Sequence, residues 1–341
     1  MPLLKKIMKW LLIVLGSVFL LSLIWPYFVP LNFPEQKFEK VFEESQYLEV
    51  KGTKVHYREY FPKDTVLGHV MLVHGFSGSG FSWRKNISML TELGLHTVAI
   101  DLPPFGYSDK RPEANVSDSM RNDYVLAVMN EVEKQHHFEK SPWLLFGHSM
   151  GGMVIGSFAT KYPERVKALF FVDGVCFSHD GNRPFYLRFI QFFLRWHPYR
   201  RAADVIMERN LSSFEKFEEL LASAYGTKPD SVDVEGYRKP FLVHRSASSV
   251  LLMSSRMGYA KVDMELVKRF PTFLIWGKND QWIPISSAHD FLKEVPETKF
   301  HFVDGAGHCP METHSDEFNR VVGKWIQGLI APSSMSSPSP N

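Results

Sequence analysis

A serine set between two glycines is the sharpest candidate for a chemical role. Gly147, Ser149 and Gly151 form a Gly-x-Ser-x-Gly segment directly after the apolar run 143–146 and directly before a helix-compatible run. A nucleophile on such a strand-to-helix turn is crowded, and glycines two residues to either side let backbone and substrate approach. The helix N-terminus behind the serine also favours negative charge that forms there. The segment therefore predicts Ser149 as a catalytic nucleophile.

A base and an acid for this serine follow two later apolar runs. A serine hydroxyl is a weak nucleophile and needs a base that is itself held by a third group. Asp280 comes after the run 273–276, and His308 follows the run 300–303 in a loop with two glycines. Because side chains after parallel strands gather at one edge of the sheet, we predict a triad in the chain order Ser149, Asp280, His308.

Other side chains compete for these roles. Asp173, which also follows a predicted strand, is the rival acid, and Asp280 could instead be an ordinary turn residue. His314 is the second choice for the base. Cys309 stands next to His308 but is interpreted as a small packing residue.

The oxyanion that forms during acyl transfer needs two preorganised donors, and loss of one typically lowers the rate ~100-fold or more. His74, Gly75 and Phe76 end the apolar run 70–73 and enter a loop rich in Gly and Ser. We predict the backbone N–H groups of Phe76 and Met150 as the donor pair. His74 is expected to be structural and bonded within its loop.

The elements that must position these residues alternate along the chain. Runs 119–135 and 150–162 are helix-like, and segments 47–50 and 54–60 flank a Gly-bearing turn, which is typical of a β-hairpin. Short apolar runs, of the kind buried on both faces of a sheet, recur between them. They are 70–73, 97–100, 143–146, 169–172, 273–276 and 300–303. The alternation predicts an α/β fold with a parallel sheet and helices on both faces.

The N-terminal segment predicts a membrane anchor. Residues 10–34 contain no charged side chain, and roughly 20 apolar residues suffice to cross a ~30 Å hydrocarbon layer. Lys5, Lys6 and Lys9 precede the run, so the N-terminus is expected on the cytoplasmic side and the catalytic domain on the periplasmic or lumenal side. A cleaved signal peptide is the competing reading, but the far end of the run offers no small-x-small cleavage pattern.

Composition narrows the classes of protein. The chain has 341 residues, 22% of them charged, a formal net charge of +2, and no basic block beyond its first nine residues. We therefore set a nucleic-acid partner aside. Two cysteines, Cys176 and Cys309, argue against a disulfide framework and against a cysteine-rich zinc site. The triad chemistry needs no metal or organic cofactor, and none is expected.

Five segments in this order resemble the α/β-hydrolase superfamily, in its branch of serine esterases, monoacylglycerol-lipase-like enzymes and carbon–carbon bond hydrolases. They are 74–76, 101–108, 147–152, 277–280 and 305–308. The resemblance implies an eight-stranded, mostly parallel sheet with a helical cap between the sixth and seventh strands. Pro104 departs from the glycine usual there. Ser149 decides against epoxide hydrolases and haloalkane dehalogenases, which resemble this chain but need an aspartate nucleophile.

The strand pattern breaks off where the resemblance places the cap, and the chain divides accordingly. We expect an anchor at 1–30, a linker at 31–46, a catalytic core at 47–176 and 263–330, a cap at 177–262 and a disordered tail at 331–341.

The expected partners are the membrane and a small apolar ester. The expected activity is hydrolysis of lipid-like or other apolar acyl esters, such as monoacylglycerols, through an acyl-enzyme on Ser149. The aromatic cap segment 185–196 would suit entry of an acyl chain. A carbon–carbon hydrolase, a thioesterase or an amidase with the same triad is the alternative, and a non-catalytic binding protein on this fold is a third possibility.

Overall fold

The computed structural model describes residues 2–111, 114, 117–174, 176–177, 192–193, 196–256 and 262–330. The predicted disordered tail, 331–341, lies outside the described residues, as does most of the aromatic segment 185–196.

The chain begins with a long apolar helix, α1 (Pro2–Ile24), followed by a 3-10 turn (Trp25–Phe28). The span Leu3–Phe28 has a mean hydropathy of 2.4 and none of its most apolar window is buried against the rest of the protein. Among the described residues it is the one helix long and apolar enough to cross a membrane.

Eight strands form one sheet. They are β1 (Ser45–Val50), β2 (Thr53–Tyr60), β3 (Gly68–Val73), β4 (Leu95–Asp101), β5 (Trp143–His148), β6 (Val166–Val172), β7 (Thr272–Gly277) and β8 (Lys299–Val303). Their order in the sheet is β1-β2-β4-β3-β5-β6-β7-β8. β2 pairs antiparallel with β1 and with β4, and all other pairs are parallel. The predicted fold class is therefore confirmed.

The predicted hairpin is the first part of this sheet. Lys51 and Gly52 connect β1 to β2 with φ values of +50° and +79°, as a two-residue hairpin turn requires. β1 begins at Ser45, two residues before the predicted strand and inside the stretch assigned to the linker.

Helices cover both faces of the sheet. The helices after α1 are α2 (Ile87–Glu92), α3 (Asp118–Gln135), α4 (Met150–Lys161), α5 (His197–Ile206), α6 (Phe214–Tyr225), α7 (Ser231–Arg238), α8 (Ser246–Arg256), α9 (Met264–Val267), α10 (Ile285–Glu294), α11 (Pro310–Thr313) and α12 (Ser315–Ile330). A π turn (Met207–Leu211) extends α5, and short 3-10 turns lie at Gly80–Trp83, Pro163–Arg165 and Lys239–Phe241.

Successive side chains of each strand point to opposite faces of the sheet, and they pack into two separate hydrophobic cores. Met71 and Val73 of β3 point into a core with α3, α4 and α10. Val70 and Leu72 of the same strand point into a second core with α2, α12 and α6. Because both faces are covered, the central strands consist of continuous apolar runs, which is why their positions can be predicted from the sequence.

Helices α5 to α9 lie between β6 and β7, in the stretch predicted as a cap; the cap boundaries 177–262 stay a prediction. The start of this stretch is fastened to the end of α1. Arg201 donates from Nε to Pro26 O at 2.9 Å and from a terminal nitrogen to Val29 O at 3.1 Å. The hydroxyl of Tyr27 lies 2.7 Å from His197 Nδ1. The apolar helix and the cap are therefore in direct contact.

Candidate active site

Ser149 lies on the sharp turn between β5 and α4. Its φ of +51° is strained for a residue with a side chain, and its N–H donates to Val172 O at 3.0 Å. A Cβ at position 147 would collide with the carbonyl group of Gly151, and one at position 151 with the carbonyl oxygen of Val73. Only glycine fits on either side of the serine, which accounts for the motif.

Asp280 and His308 are joined by a direct hydrogen bond. Asp280 follows β7, His308 follows β8, and His308 Nδ1 lies 2.7 Å from Asp280 Oδ2 with both side chains buried. Oδ1 of Asp280 accepts from the N–H groups of Trp282 at 2.8 Å and Ile283 at 3.0 Å. The carboxylate is thereby fixed, and it places the histidine proton on Nδ1, which leaves Nε2 free to act as a base.

Ser149 and His308 line the same cavity. Within the described part of the chain, the Ser149 hydroxyl makes no hydrogen bond to His308. Such nucleophile–base bonds are often loose in the free enzyme and tighten when substrate binds. The structure therefore brings the three predicted triad residues to one edge of the sheet, with the acid–base pair already formed.

One predicted oxyanion donor, Met150, follows Ser149 in the chain, and the other, Phe76, belongs to the loop that packs against the Ser149 turn. Met150 is the first residue of α4, so its N–H has no partner within the helix. Phe76 follows β3 and lines the cavity. A Cβ on Gly75 would lie 2.9 Å from the Ser149 Cβ, so this loop packs directly against the nucleophile turn.

His74 and His148 hold the loops around the site through hydrogen bonds. His74 Nδ1 lies 2.7 Å from Gly75 O, and its Nε2 accepts from the Leu102 N–H at 2.9 Å. His74 therefore ties its loop to the end of β4 as well as to itself. His148 Nε2 donates to the carbonyl oxygen of His308 at 2.8 Å. Burial lowers the pKa of His148 well below its usual range, so this ring stays neutral beside the triad.

Asp173, the rival candidate for the acid, lies beside the pair. It follows β6, is fully buried, and its Oδ1 accepts from the Gly277 N–H at 2.9 Å. Asp173, Asp280 and His308 each place one potential ligand atom within 4.8 Å of the others. Such a set could hold a cation, but here the His308 nitrogen donates to the carboxylate instead of turning a lone pair toward a common centre.

The cavity above Ser149 is mostly apolar and has a volume of about 60 Å³, which is well below the usual range for small-molecule sites. Helix α6 supplies much of its wall, and none of the described residues that line it is a lysine or an arginine. The wall consists of Phe76, Phe217, Leu220, Leu221, Ala224, Tyr237, Trp282 and Cys309, with Ser77 and Ser82 as small polar members.

The cap holds the histidine loop from outside. The N–H of His308 donates to Ala224 O at the end of α6, at 2.7 Å, and the Trp282 ring stacks on the His308 ring with centroids 5.3 Å apart. Glu312 in α11 accepts from the hydroxyls of Tyr225 at 2.8 Å and Tyr237 at 2.5 Å. The cap and the catalytic edge are therefore joined by hydrogen bonds on both sides of His308.

Arg84 completes this junction. Its guanidinium bridges Glu312 of the core and Asp233 of α7 through two ion pairs. Burial raises the pKa of Glu312 although Arg84 and the two tyrosines oppose that shift. The group of Arg84, Asp233, Glu312, Tyr225 and Tyr237 is called the cap latch below.

A wider cleft lies between the linker, the loop after β4 and α7, lined by Phe42, Arg58, Asp101, Tyr107 and Glu235 among others. It contains none of the predicted site residues. Asp101 there is fully occupied: it accepts from Gly80 N and Tyr107 N and pairs with His56 at 2.8 Å. Ser149 and His308 line the smaller, apolar cavity instead.

The wall of the cavity and the cap latch are the parts that inspection of the sequence misses. The spacing of Phe214, Phe217 and Leu221 predicts an apolar face on a helix, but not what that face covers. The proximity of Asp173 to Asp280 also has no local signal, since 107 residues separate them and only the pairing of β6 with β7 brings them together.

The chain resembles known proteins over most of its length. A family model described as alpha/beta hydrolase fold matches residues 68–315. Epoxide hydrolase 1 of Caenorhabditis elegans is 23% identical over 83% of this chain and 70% of its own length. Monoacylglycerol lipase ABHD6 of Rattus norvegicus is 28% identical over 77% of this chain and 76% of its own length. A 2-hydroxy-6-oxononadienedioate/2-hydroxy-6-oxononatrienedioate hydrolase of Escherichia coli strain K12 is 22% identical over 80% and 90%.

Proposed function

The chain belongs to the alpha/beta hydrolase fold family, and from that premise we propose that it is a serine hydrolase of apolar carboxylic esters. The observation that carries this assignment is one cavity that holds both Ser149, on its strained turn, and His308, bonded to Asp280 at 2.7 Å. The hydrolases it resembles act on lipids, epoxides and carbon–carbon bonds, so the site must decide between them.

Each residue of the site has one task in the proposed reaction. Ser149 Oγ attacks the ester carbonyl while His308 Nε2 takes its proton, and the N–H groups of Phe76 and Met150 stabilise the oxyanion. His308 returns the proton to the leaving alcohol, which departs and leaves an acyl-Ser149. Water then attacks with His308 as base, and the carboxylic acid is released.

The nucleophile argues against an epoxide substrate. Epoxide opening on this fold needs a carboxylate that attacks carbon, and Ser149 stands at that position. The likeness to an epoxide hydrolase therefore extends to the fold and not to the reaction.

The charge of the cavity argues for a neutral ester. The Escherichia coli relative hydrolyses a dioate, whose two carboxylates need cationic partners when buried. No lysine or arginine is found among the described residues that line the cavity here, whereas aromatic and aliphatic side chains dominate its wall. An acyl chain with an uncharged alcohol, as in a monoacylglycerol, suits this lining.

The apolar helix α1 suggests where the enzyme acts. We propose that α1 anchors the enzyme in a membrane with its N-terminus in the cytoplasm, since Lys5, Lys6 and Lys9 precede the apolar stretch. The contacts of Arg201 and His197 with residues 26–29 then keep the cap close to the bilayer, where apolar esters are concentrated.

A p-nitrophenyl ester series from C2 to C16 tests the activity, with Ser149→Ala alongside. We expect turnover that favours medium or long acyl chains and that falls at least 10⁴-fold, to background, in the variant, because the nucleophile is lost. A fluorophosphonate probe should label the wild type and not Ser149→Ala. Turnover or labelling that survives in the variant would contradict a role for this serine, and turnover of acetate alone would contradict a lipid-like substrate.

A further inference from the structure

Two carboxyl groups lie side by side behind the triad histidine. Asp173 and Asp280 end neighbouring strands of the sheet, β6 and β7, and both side chains are buried. One carboxyl oxygen of each, together with a His308 nitrogen, lies within 4.8 Å of the others. Only Asp280 has a role in the triad.

The two carboxyls differ in their hydrogen bonds. Among the described residues, Asp280 accepts three, from His308 and from the N–H groups of Trp282 and Ile283. Within the described part of the chain, Asp173 accepts one hydrogen bond, from Gly277 N–H to Oδ1, and its buried Oδ2 has no partner there.

A second negative charge at this place would be costly. A buried acceptor without a donor loses its hydrogen bonds to water and gains none from the protein. Two acidic groups that share a low-dielectric site do not both ionise. Burial and the neighbouring Asp280 together raise the pKa of Asp173 well above its usual range. With a proton on Oδ2, the unpaired atom becomes a donor, and the Asp280 carboxylate offers an acceptor, since one oxygen of each carboxyl group lies within 4.8 Å of the other.

We propose that Asp173 is a positioning residue of the triad, whose carboxyl group stays protonated and donates a hydrogen bond from Oδ2 to the carboxylate of Asp280. The assignment rests on the proposed serine-hydrolase function for its catalytic meaning. Asp280 then has four donors around its two oxygens, and one negative charge, not two, faces His308. During the reaction His308 becomes positively charged, and the single negative charge of Asp280 stabilises it. A second negative charge would hold the proton on His308 more tightly and hinder its transfer to the leaving group.

The matched variants are Asp173→Asn and Asp173→Ala. Asparagine keeps an oxygen for Gly277 N–H, supplies an N–H₂ donor toward Asp280, and tolerates the positive φ of +42° at this position. We expect Asp173→Asn to keep kcat within about 3-fold of the wild type. Asp173→Ala should lose about 10- to 100-fold in kcat with KM unchanged, as for one hydrogen bond to a charged group.

Infrared difference spectroscopy observes the proton itself. At pH 7, subtraction of the Asp173→Asn spectrum from that of the wild type should leave the C=O stretch of a protonated carboxylic acid. Asp204→Asn is the control, because Asp204 is another buried carboxyl whose pKa burial raises and which lies away from the predicted triad; this variant should leave the Asp173 band in place.

Two results would overturn the assignment. One is a difference spectrum in which Asp173→Asn removes an ionised carboxylate band. The other is an Asp173→Asn enzyme as slow as Asp173→Ala, although both bind the fluorophosphonate probe in full stoichiometry and are therefore folded. Loss of the esterase assignment through a fully active Ser149→Ala is a separate outcome, since the infrared signal does not depend on turnover.

Discussion

At the residue scale, the predicted triad histidine, His308, is held by contacts to its ring and to its backbone. Its Nδ1 is held by Asp280, its N–H by Ala224 O, and its carbonyl oxygen by His148 Nε2 at 2.8 Å. These three contacts come from the core, the cap and the nucleophile turn. A residue fixed from three elements needs little reorganisation when the substrate arrives.

Replacement of Asp280 tests this arrangement directly. Asp280→Asn should lower kcat by about 10³- to 10⁴-fold, because the amide cannot hold His308 in the right tautomer or stabilise its protonated form. The measurement is ester hydrolysis at saturating substrate, with circular dichroism as the check on folding. An Asp280→Asn enzyme within 10-fold of the wild type would mean that another acid, with Asp173 as the nearest, supports the histidine.

A second histidine, far from the site, predicts a pH dependence of stability. His69 in β3 is buried against the Trp143 ring, with centroids 4.9 Å apart, and its Nδ1 lies 3.1 Å from His96 Nδ1. Burial, aided by His96, lowers the pKa of His69 to about 4 from the ordinary value of 6.5. Between these values the unfolded chain binds the proton and the folded chain does not.

The free energy of unfolding should therefore be highest above pH 6.5 and decrease as the pH falls toward 4. Urea unfolding in detergent micelles at pH 7, 6, 5 and 4.5 measures this slope. His69→Gln should flatten it, and His289→Gln, at an exposed position on α10, should leave it unchanged. An identical slope in wild type and His69→Gln would assign the effect to other groups.

At the scale of elements, the cap latch joins the predicted cap to the core through ion pairs, and we expect these to stabilise the position of the cap. Arg84 joins Glu312 in α11 to Asp233 in α7. Arg84→Met should destabilise the protein by about 3 kcal/mol, at the low end for a broken buried ion pair, because Glu312 can take up a proton in relief. Lys293→Met removes an exposed pair with Asp290 and should change stability by less than about 1 kcal/mol.

The same variant should affect catalysis through the position of α6. Its carbonyl at Ala224 holds the His308 N–H, so a displaced cap loosens the histidine loop. We expect Arg84→Met to lower kcat on soluble p-nitrophenyl butyrate, and Lys293→Met to leave it unchanged. Equal stability and equal kcat in both variants would show that the latch does not hold the cap.

Elements were predictable from sequence to different degrees. The strands β3 to β7 are buried on both faces, so their apolar runs identify them, and the glycines around Ser149 identify its turn. The sheet order, in which β4 lies between β2 and β3, has no local signal, because any buried strand could take that place. The latch was unpredictable for the same reason: Tyr225 and Tyr237 meet Glu312 only after the cap folds onto the core.

At the scale of the whole molecule, the second half of the apolar segment contacts the predicted cap through a few aromatic side chains. The Phe19 ring of α1 lies edge-on to Trp196, with centroids 6.4 Å apart, and Arg201 covers the Tyr27 ring at 5.4 Å. If α1 spans the bilayer, Tyr27, at the far end of the span Leu3–Phe28, lies at the depth that aromatic side chains prefer.

A charge in the middle of α1 tests the anchor. Leu15→Arg places a cation near the centre of the span, which costs about 2.5–3.5 kcal/mol of insertion free energy. We expect wild-type protein to float with phospholipid vesicles in a density gradient and to resist extraction by alkaline carbonate, and Leu15→Arg to be extracted. Val232→Arg, at an exposed position on α7, is the matched control and should stay with the vesicles. A wild-type chain extracted as readily as the variant would contradict a transmembrane anchor.

The two cysteines have a bearing on where such an enzyme can work. Cys176 and Cys309 are both buried and free, and burial holds the pKa of each thiol well above its usual range. Thiols in that state are poor targets for oxidants and for disulfide exchange. The fold therefore does not depend on a disulfide, and we expect the same stability in a reducing and in an oxidising compartment.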